Sequence, residues 1–229
     1  MARHGASIAL LDRLDTVADS ATALAAETGV RAVGIVVNVA DPASIESALD
    51  RVAAELGIAT ILVNSAGITS GNPALDTTLE QWTKVLTVNL TGTFLVSQAF
   101  ARRVIAAELA ATVVNIASMS SFVVNIPQTQ TPYNVSKAAV AMLTKSLAIE
   151  WLRHGIRVNG IAPGYFASDM TRDFVKANPE MAEEWIGRIP AGRIGEPHEL
   201  GELLVYLASD RSAYVVGQNI LIDGGYTIV

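Results

Sequence analysis

Short runs of β-branched and aliphatic residues alternate along the chain with longer stretches in which apolar positions recur every three or four residues. The runs at 7–11, 32–37, 59–63, 112–116, 157–161 and 219–222 are short and rich in β-branched and aliphatic residues, and most lack the strict polar alternation of a half-exposed strand, as strands buried on both faces do. The stretches at 16–27, 44–56, 79–109, 133–154 and 197–208 have helical spacing. Several carry end signals: Asp41-Pro42 and Ser44 stand at the start of the second, Gly57 and Gly155 follow the second and fourth, and Pro197 opens the last. Strand and helix in alternation predict an α/β fold, a doubly wound parallel sheet with helices on both faces, and the six strands read as one sheet. No internal repeat and no linker divides the chain, so residues 1–229 read as one domain. The least regular stretch, 164–195, contains Pro179, Pro190 and Gly192. A long insertion after a strand is where a substrate lid sits; a surface excursion without a role is the alternative.

Composition narrows the function classes. The 229 residues are 51% hydrophobic and 17% charged, which excludes a disordered chain. Without cysteine there is no disulfide scaffold, no thiolate zinc site and no thiol catalysis. A net charge of −6 provides no electrostatic footprint for nucleic acid. Every apolar run is broken well short of the roughly 18–20 residues that a membrane helix needs. The opening residues lack the pattern of an export signal, so a cytoplasmic protein is expected. His4, His154 and His198 have no ligand spacing, and no metal site is expected.

Candidate chemistry lies near the predicted carboxyl ends of strands, where parallel α/β sheets bind ligands. Tyr133 and Lys137 stand four apart, on one face of a helix. An ammonium near a phenol favours phenolate and brings a group with a pKa of about 10 toward use as a base. The alternative is a tyrosine packed under a solvated lysine. Upstream, Asn115-Ile116-Ala117-Ser118-Met119-Ser120-Ser121 ends a strand with hydroxyls able to bond a substrate oxygen. Asn64-Ser65-Ala66-Gly67 ends another with small residues that let a flat cofactor approach the backbone. Asn89 lies inside a helical stretch, where a buried amide needs partners of its own.

Taken in order, Asn64-Ser65-Ala66-Gly67, Asn89, Ser118, Tyr133-Asn134-Val135-Ser136-Lys137, Pro163-Gly164 and Asp223-Gly224-Gly225 resemble the short-chain dehydrogenase/reductase family over nearly the whole chain. The resemblance implies a Rossmann-type fold and reversible hydride transfer between a secondary alcohol and NAD(P). It implies Tyr133 as general acid/base, Ser118 as the hydroxyl that holds the substrate oxygen, with Ser120 and Ser121 as competitors for that role, and Lys137 as the group that lowers the phenol pKa and bonds the nicotinamide ribose. Asn89 would place a water on the proton path. Cofactor contacts are implied at Asp12, Asn38, Val39, Asn64, Ala66, Gly67, Tyr133, Lys137, Pro163, Gly164, Phe166 and Ser168. Asp12, at a strand end, bonds ribose hydroxyls and repels a 2′-phosphate, so NAD is expected over NADP, although Arg13 beside it works the other way. The loop around Asn125 and Gln128 and the ending Gly224-Gly225-Tyr226-Thr227 look most like polyol and sugar-alcohol dehydrogenases, with Asn125 and Gln128 as substrate contacts. A 3-oxoacyl-carrier-protein or hydroxysteroid-type reductase is the alternative. A non-catalytic remnant acting as an interaction subunit is another. The segment 79–109 and the helix from Tyr133 resemble the family's pairing helices, so a homotetramer is expected.

One block of the family is missing. Its members begin with a strand and a glycine-rich turn that cradles the cofactor pyrophosphate, and nothing in this chain supplies either. In the family's strand order, 3-2-1-4-5-6-7, that strand is central. The strands at 7–11 and 59–63 are therefore expected to face a gap with unpaired edges. Each buried unpaired backbone group costs about 1–3 kcal/mol against a total stability of about 5–15 kcal/mol, so the chain alone is expected to fold poorly or rearrange, and the natural protein to start upstream.

Overall fold

The structure, a computed structural model, describes residues 1–168, 171 and 176–229. The stretches 169–170 and 172–175, inside the candidate lid, lie outside the described residues.

Six parallel strands form: β1 (Ile8–Asp12), β2 (Ala32–Val36), β3 (Ile61–Asn64), β4 (Ala111–Ile116), β5 (Ile156–Pro163) and β6 (Asn219–Ile222). They alternate with α1 (Val17–Thr28), α2 (Pro42–Leu56), α3 (Leu79–Leu86), α4 (Thr93–Ala106), α5 (Thr131–Trp151), α6 (Pro179–Gly187) and α7 (Pro197–Ala208). Local chemistry sets the ends. The Asp41 carboxylate accepts from Ala43 N at the start of α2, with Pro42 in the first turn. Reciprocal capping boxes, Thr78 with Gln81 and Glu196 with Glu199, open α3 and α7.

The stretch read as one helix over 79–109 is three pieces: α3, a π-helical turn at Thr87–Gly92, and α4. The wide turn buries Asn89, and Gly92 lies against the loop after β2. A Cβ on Gly92 would stand 2.9 Å from Val39 Cγ2, so no larger residue fits there without moving that loop.

The strands do not form one sheet. β1 and β2 make a two-stranded sheet, and β3-β4-β5-β6 a four-stranded one. Ile8 N bonds Arg31 O and Val37 N bonds Asp12 O, which directs alternate residues of β1 toward β2 and leaves the backbone groups of Ala9 and Leu11 facing away. By the same alternation, with Thr112 N on Thr60 O, Ile61 and Val63 face away from β4. Burial follows pairing. Val113 and Val114 of β4 and Val158 and Ile161 of β5 are fully enclosed, whereas the apolar residues of β1 and β3 are only half-buried. The accessible surface is 12175 Å². A folded monomer of 24.1 kDa has roughly 10,000 Å². The two sheets nonetheless share packing: Ala9 and Leu11 of β1 and Leu62 of β3 all contact one apolar cluster built around β2, α2 and α4. An apolar run states that a strand belongs inside a sheet; it does not state which strand lies beside it, and that is why the single-sheet expectation fails.

Candidate active site

The candidate residues gather at the carboxyl ends of β3, β4 and β5. Ser118 is two residues past β4, Pro163 ends β5, and Tyr133 and Lys137 lie in the first two turns of α5. The Ser118 hydroxyl lies close enough to the Tyr133 phenol to act on it. Ser118 Oγ also accepts from Ser120 N at 3.1 Å, which caps the short turn Met119–Ser121 and holds the hydroxyl in place. Ser120 and Ser121 are used elsewhere: Ser120 Oγ donates to Asn125 Oδ1 at 2.6 Å and Ser121 Oγ to Lys137 O at 2.8 Å.

Lys137 is buried, and its Nζ donates to Ile116 O at 2.7 Å. β3 ends opposite Asn115, so the strand that would have bonded this carbonyl has stopped one residue earlier. The ammonium stands 5.7 Å from the Tyr133 ring centroid. Burial pushes the Tyr133 phenol above its ordinary value, and the Ser118 hydroxyl draws it down. This reverses the direction expected from the Tyr-x-x-x-Lys spacing, because the ammonium is directed at a backbone carbonyl while desolvation acts on the phenol itself. Burial also lowers Lys137 to about 8.

Asn89 joins the site in a different way from the one expected. Its Oδ1 accepts from Ile68 N at 2.8 Å, and its amide donates to Ile68 O and Ser136 Oγ, both at 2.9 Å. With both amide hydrogens committed, the side chain clamps the loop after β3 to α5, and donating to a water is beyond it. Gly67 lies on that clamped loop. A Cβ there would stand 3.5 Å from Asn89 Oδ1 and 3.6 Å from Lys137 Nζ, so the space beside these two polar groups depends on glycine.

The Asn64 side chain is committed to the core, and the backbone approach expected at this block is what remains open. Asn64 is buried, and its amide donates to Ser97 Oγ at 2.8 Å and Asn115 Oδ1 at 2.9 Å, while Asn115 donates on to Thr144 Oγ1 at 3.0 Å. This polar ladder ties β3, β4, α4 and α5 together, and it leaves only the backbone of Asn64, Ala66 and Gly67 to meet a ligand.

Asp12 is exposed and its Oδ1 accepts from Leu14 N at 3.0 Å, the turn-capping use open to any Asp; no described residue bonds its other oxygen. Asn38 makes a similar turn, with Oδ1 accepting from Ala40 N, while Val39 packs on the apolar cluster. The turns that lead from β1 and β2 into helices contain no glycine. Phe166 bridges to Gly195 through the backbone and lays its ring over that glycine. Ser168 Oγ accepts from Thr171 N.

Asn125 and Gln128 do not point unengaged toward a substrate. Both are turned onto Tyr165, whose ring stacks on Trp185 with centroids 4.3 Å apart. Sequence reasoning missed this aromatic cluster. Tyr165 follows the Pro163-Gly164 pair and was visible there, but Trp185 and Tyr226 are lone aromatics in distant segments, with no local pattern to join them. Among the described residues, no group of three or more His, Asp or Glu could hold a metal ion, and no helix is long and apolar enough to cross a membrane.

The chain is similar to known proteins in sequence and in fold. The family model described as enoyl-(acyl carrier protein) reductase matches residues 1–227. Galactitol 2-dehydrogenase (L-tagatose-forming) of Cereibacter sphaeroides is 41% identical over 228 residues, which span 99% of this chain and 87% of that protein. A short-chain type dehydrogenase/reductase from Mycobacterium marinum superposes with a TM-score of 0.93 at 40% identity, over 100% of this chain and 88% of that one. A gluconate 5-dehydrogenase from Burkholderia cenocepacia, solved in complex with NADP and tartrate, gives 0.92 at 38% identity over the same shares.

Proposed function

The chain belongs to the short-chain dehydrogenase/reductase family, and on that premise we propose that it interconverts a secondary alcohol and a ketone, with a polyol or sugar alcohol as substrate. The observation that carries the reading is the placement of Ser118 and Tyr133 together at the carboxyl ends of the strands, with Lys137 Nζ 5.7 Å from the Tyr133 ring centroid and Gly67 beside it. Ser118 holds the substrate oxygen. Tyr133 Oη takes the alcohol proton in the oxidative direction and returns it in the reductive one. A bound nicotinamide cofactor supplies the hydride acceptor or donor. Lys137 and the backbone around Gly67 hold its nicotinamide half, which the glycine-dependent space beside Lys137 Nζ suits. Pro163, Gly164, Phe166 and Ser168, which follow β5, would contribute further contacts to it. No glycine-rich turn stands ready for the pyrophosphate among the described residues, so the fit is that of half a cofactor site.

Residues 1–229 act as one nucleotide-binding unit. NAD is the proposed cofactor, from the exposed Asp12 carboxylate; the NADP in the Burkholderia structure is the finding that speaks against it. A second reading is reduction within the acyl chain of a thioester substrate, at the enoyl double bond that the family model's description names or at a 3-oxo group. A single panel separates these: kcat/KM for galactitol and D-arabinitol with NAD and with NADP, beside reduction of an acetoacetyl thioester. Polyol oxidation with an NAD preference of about tenfold or more is expected. Thioester turnover without polyol turnover overturns the substrate, and a preference for NADP overturns the cofactor.

The protein is proposed to work in the cytoplasm as a homotetramer paired through α4 and α5. Val135, Met142 and Ile149 of α5 are seven residues apart, on one helix face, and are 42%, 60% and 77% exposed. Sedimentation at micromolar concentration is expected to show a species of four 24.1 kDa chains, and a monomer alone counts against it.

A further inference from the structure

Ser118 and Tyr133 stand on different segments, the turn after β4 and the first turn of α5, and side chains tie the two together. Ser121 Oγ donates to Lys137 O at 2.8 Å. Gln130, at the start of α5, makes a second tie: its Nε2 donates to Ser120 Oγ at 3.3 Å and to Asn134 Oδ1 at 2.9 Å. Neighbouring bonds fix which way that amide faces. Ser120 Oγ stands 2.6 Å from Asn125 Oδ1, an O–H···O length, so the serine proton is used there and the oxygen can only accept from Gln130. Asn125 is oriented the same way at its other end, with Nδ2 toward Tyr165 Oη. The group of Gln130 that meets Ser120 is therefore the NH2, and its two hydrogens serve acceptors on two segments.

Both acceptors adjoin a reacting group. Ser120 N donates to Ser118 Oγ at 3.1 Å, so a shift of Ser120 shifts the hydroxyl that meets the substrate. Asn134 follows Tyr133, and its N bonds Gln130 O at 3.0 Å. Gln130 occupies the N-cap position of α5 without capping it: its side chain accepts from no helix N–H, the use that favours Ser, Thr, Asp and Asn there. The amide is committed to the bridge instead. Ser121 alone is a single point about which the turn after β4 could swing against α5, and Gln130 adds the second point that stops it. Ser120 and Asn125 are buried, so water does not compete for these bonds.

We propose that Gln130 is a positioning residue for the reaction: by bridging Ser120 and Asn134 it sets the Ser118 hydroxyl against the Tyr133 phenol. The inference rests on the roles proposed for those two residues. It is tested with Gln130→Met, which keeps the length of the side chain and removes both donors, and with Asn134→Ala, which removes the far acceptor, each alone, together, and combined with Ser118→Ala. For galactitol oxidation each variant is expected to lower kcat about tenfold with the cofactor Kd within about twofold, and the two together to cost no more than either. In the Ser118→Ala background the loss shrinks to within about twofold, because the bridge acts through that hydroxyl. A tenfold loss that persists there, or an unchanged kcat in either variant, overturns the proposal while leaving the oxidoreductase reading intact. The Tyr133 phenol supplies a readout that needs no turnover. Ser118 draws its pKa down, so Ser118→Ala raises it; Gln130→Met should raise it as far, by roughly half a unit, with no further rise when the two are combined. Lys137, the ammonium near that phenol, is kept in every variant. NMR of isotope-labelled tyrosine follows the titration, with Tyr133→Phe identifying the signal. If wild type oxidises no galactitol yet Gln130→Met shows this rise, the function reading fails and the positioning role stands. No rise, or a rise that adds to that of Ser118→Ala, overturns it.

Discussion

Tyr133→Phe is expected to lower kcat for alcohol oxidation by about 10²–10⁴-fold, the range associated with a positioned acid/base, while the cofactor Kd stays within about twofold. The substitution removes one oxygen and keeps the ring over Lys137, so packing survives. The pH profile carries the mechanistic content. Oxidation needs the phenolate, and burial raises the phenol above its ordinary value, so the wild-type oxidation rate should climb with pH through the alkaline range. Ketone reduction needs the protonated phenol and should be flat at neutral pH and fall at the alkaline end. The Phe variant should lose both limbs. A variant that keeps the alkaline rise would assign the titrating group elsewhere, and Tyr133 would then be a packing residue beside Ser118.

Lys137→Met should abolish turnover to a similar degree and, unlike most active-site losses, make the protein more stable near neutral pH. A buried ammonium with one carbonyl partner is unfavourable, as its lowering from 10.5 to about 8 records. Methionine has nearly the same reach without the charge, although it leaves Ile116 O without its donor. The pH dependence distinguishes this cause from better packing. Between about 8 and 10.5 the unfolded chain binds the proton that the folded chain has released, so wild-type stability rises with pH across that window. Below about 8 the lysine is charged in both states and the burial penalty is present in full. The Tm advantage of the Met variant should therefore be largest near pH 7 and shrink toward pH 10. A constant advantage, or a less stable variant at every pH, would show that the buried charge is not what limits stability.

Much of the architecture could be read from one dimension. Apolar runs at 32–37, 112–116 and 157–161 became strands within a residue or two, because burial on both faces leaves few positions for polar side chains. Helix ends were legible where a capping residue or proline acts locally, as at Asp41-Pro42 and Pro197. The π turn inside 79–109 was not legible, since the apolar spacing continues through it, and the close approach of Gly92 to Val39 joins residues far apart in sequence.

The site divides in the same way. Ser118, Tyr133 and Lys137 were legible as a set because each stands at a position defined by its own strand end or helix start. What each side chain bonds was not, because hydrogen bonds are settled between segments. The Asn64 amide is engaged in the core and the Asn89 amide in a loop clamp, partnerships that no local pattern announces. Asn125 and Gln128 read as substrate contacts but are directed onto Tyr165. By itself, then, the sequence determined which elements form and which residues stand at the strand ends, since periodicity, capping and strand-end position are properties of neighbours along the chain. The division of the sheet between β1 and β3 was legible from the missing strand, but only the tertiary structure decided that the Asn64 amide is tied into the core, that burial sets the direction at Tyr133, and that Tyr165 packs against both Trp185 and Tyr226. Those outcomes depend on desolvation and on pairing across space.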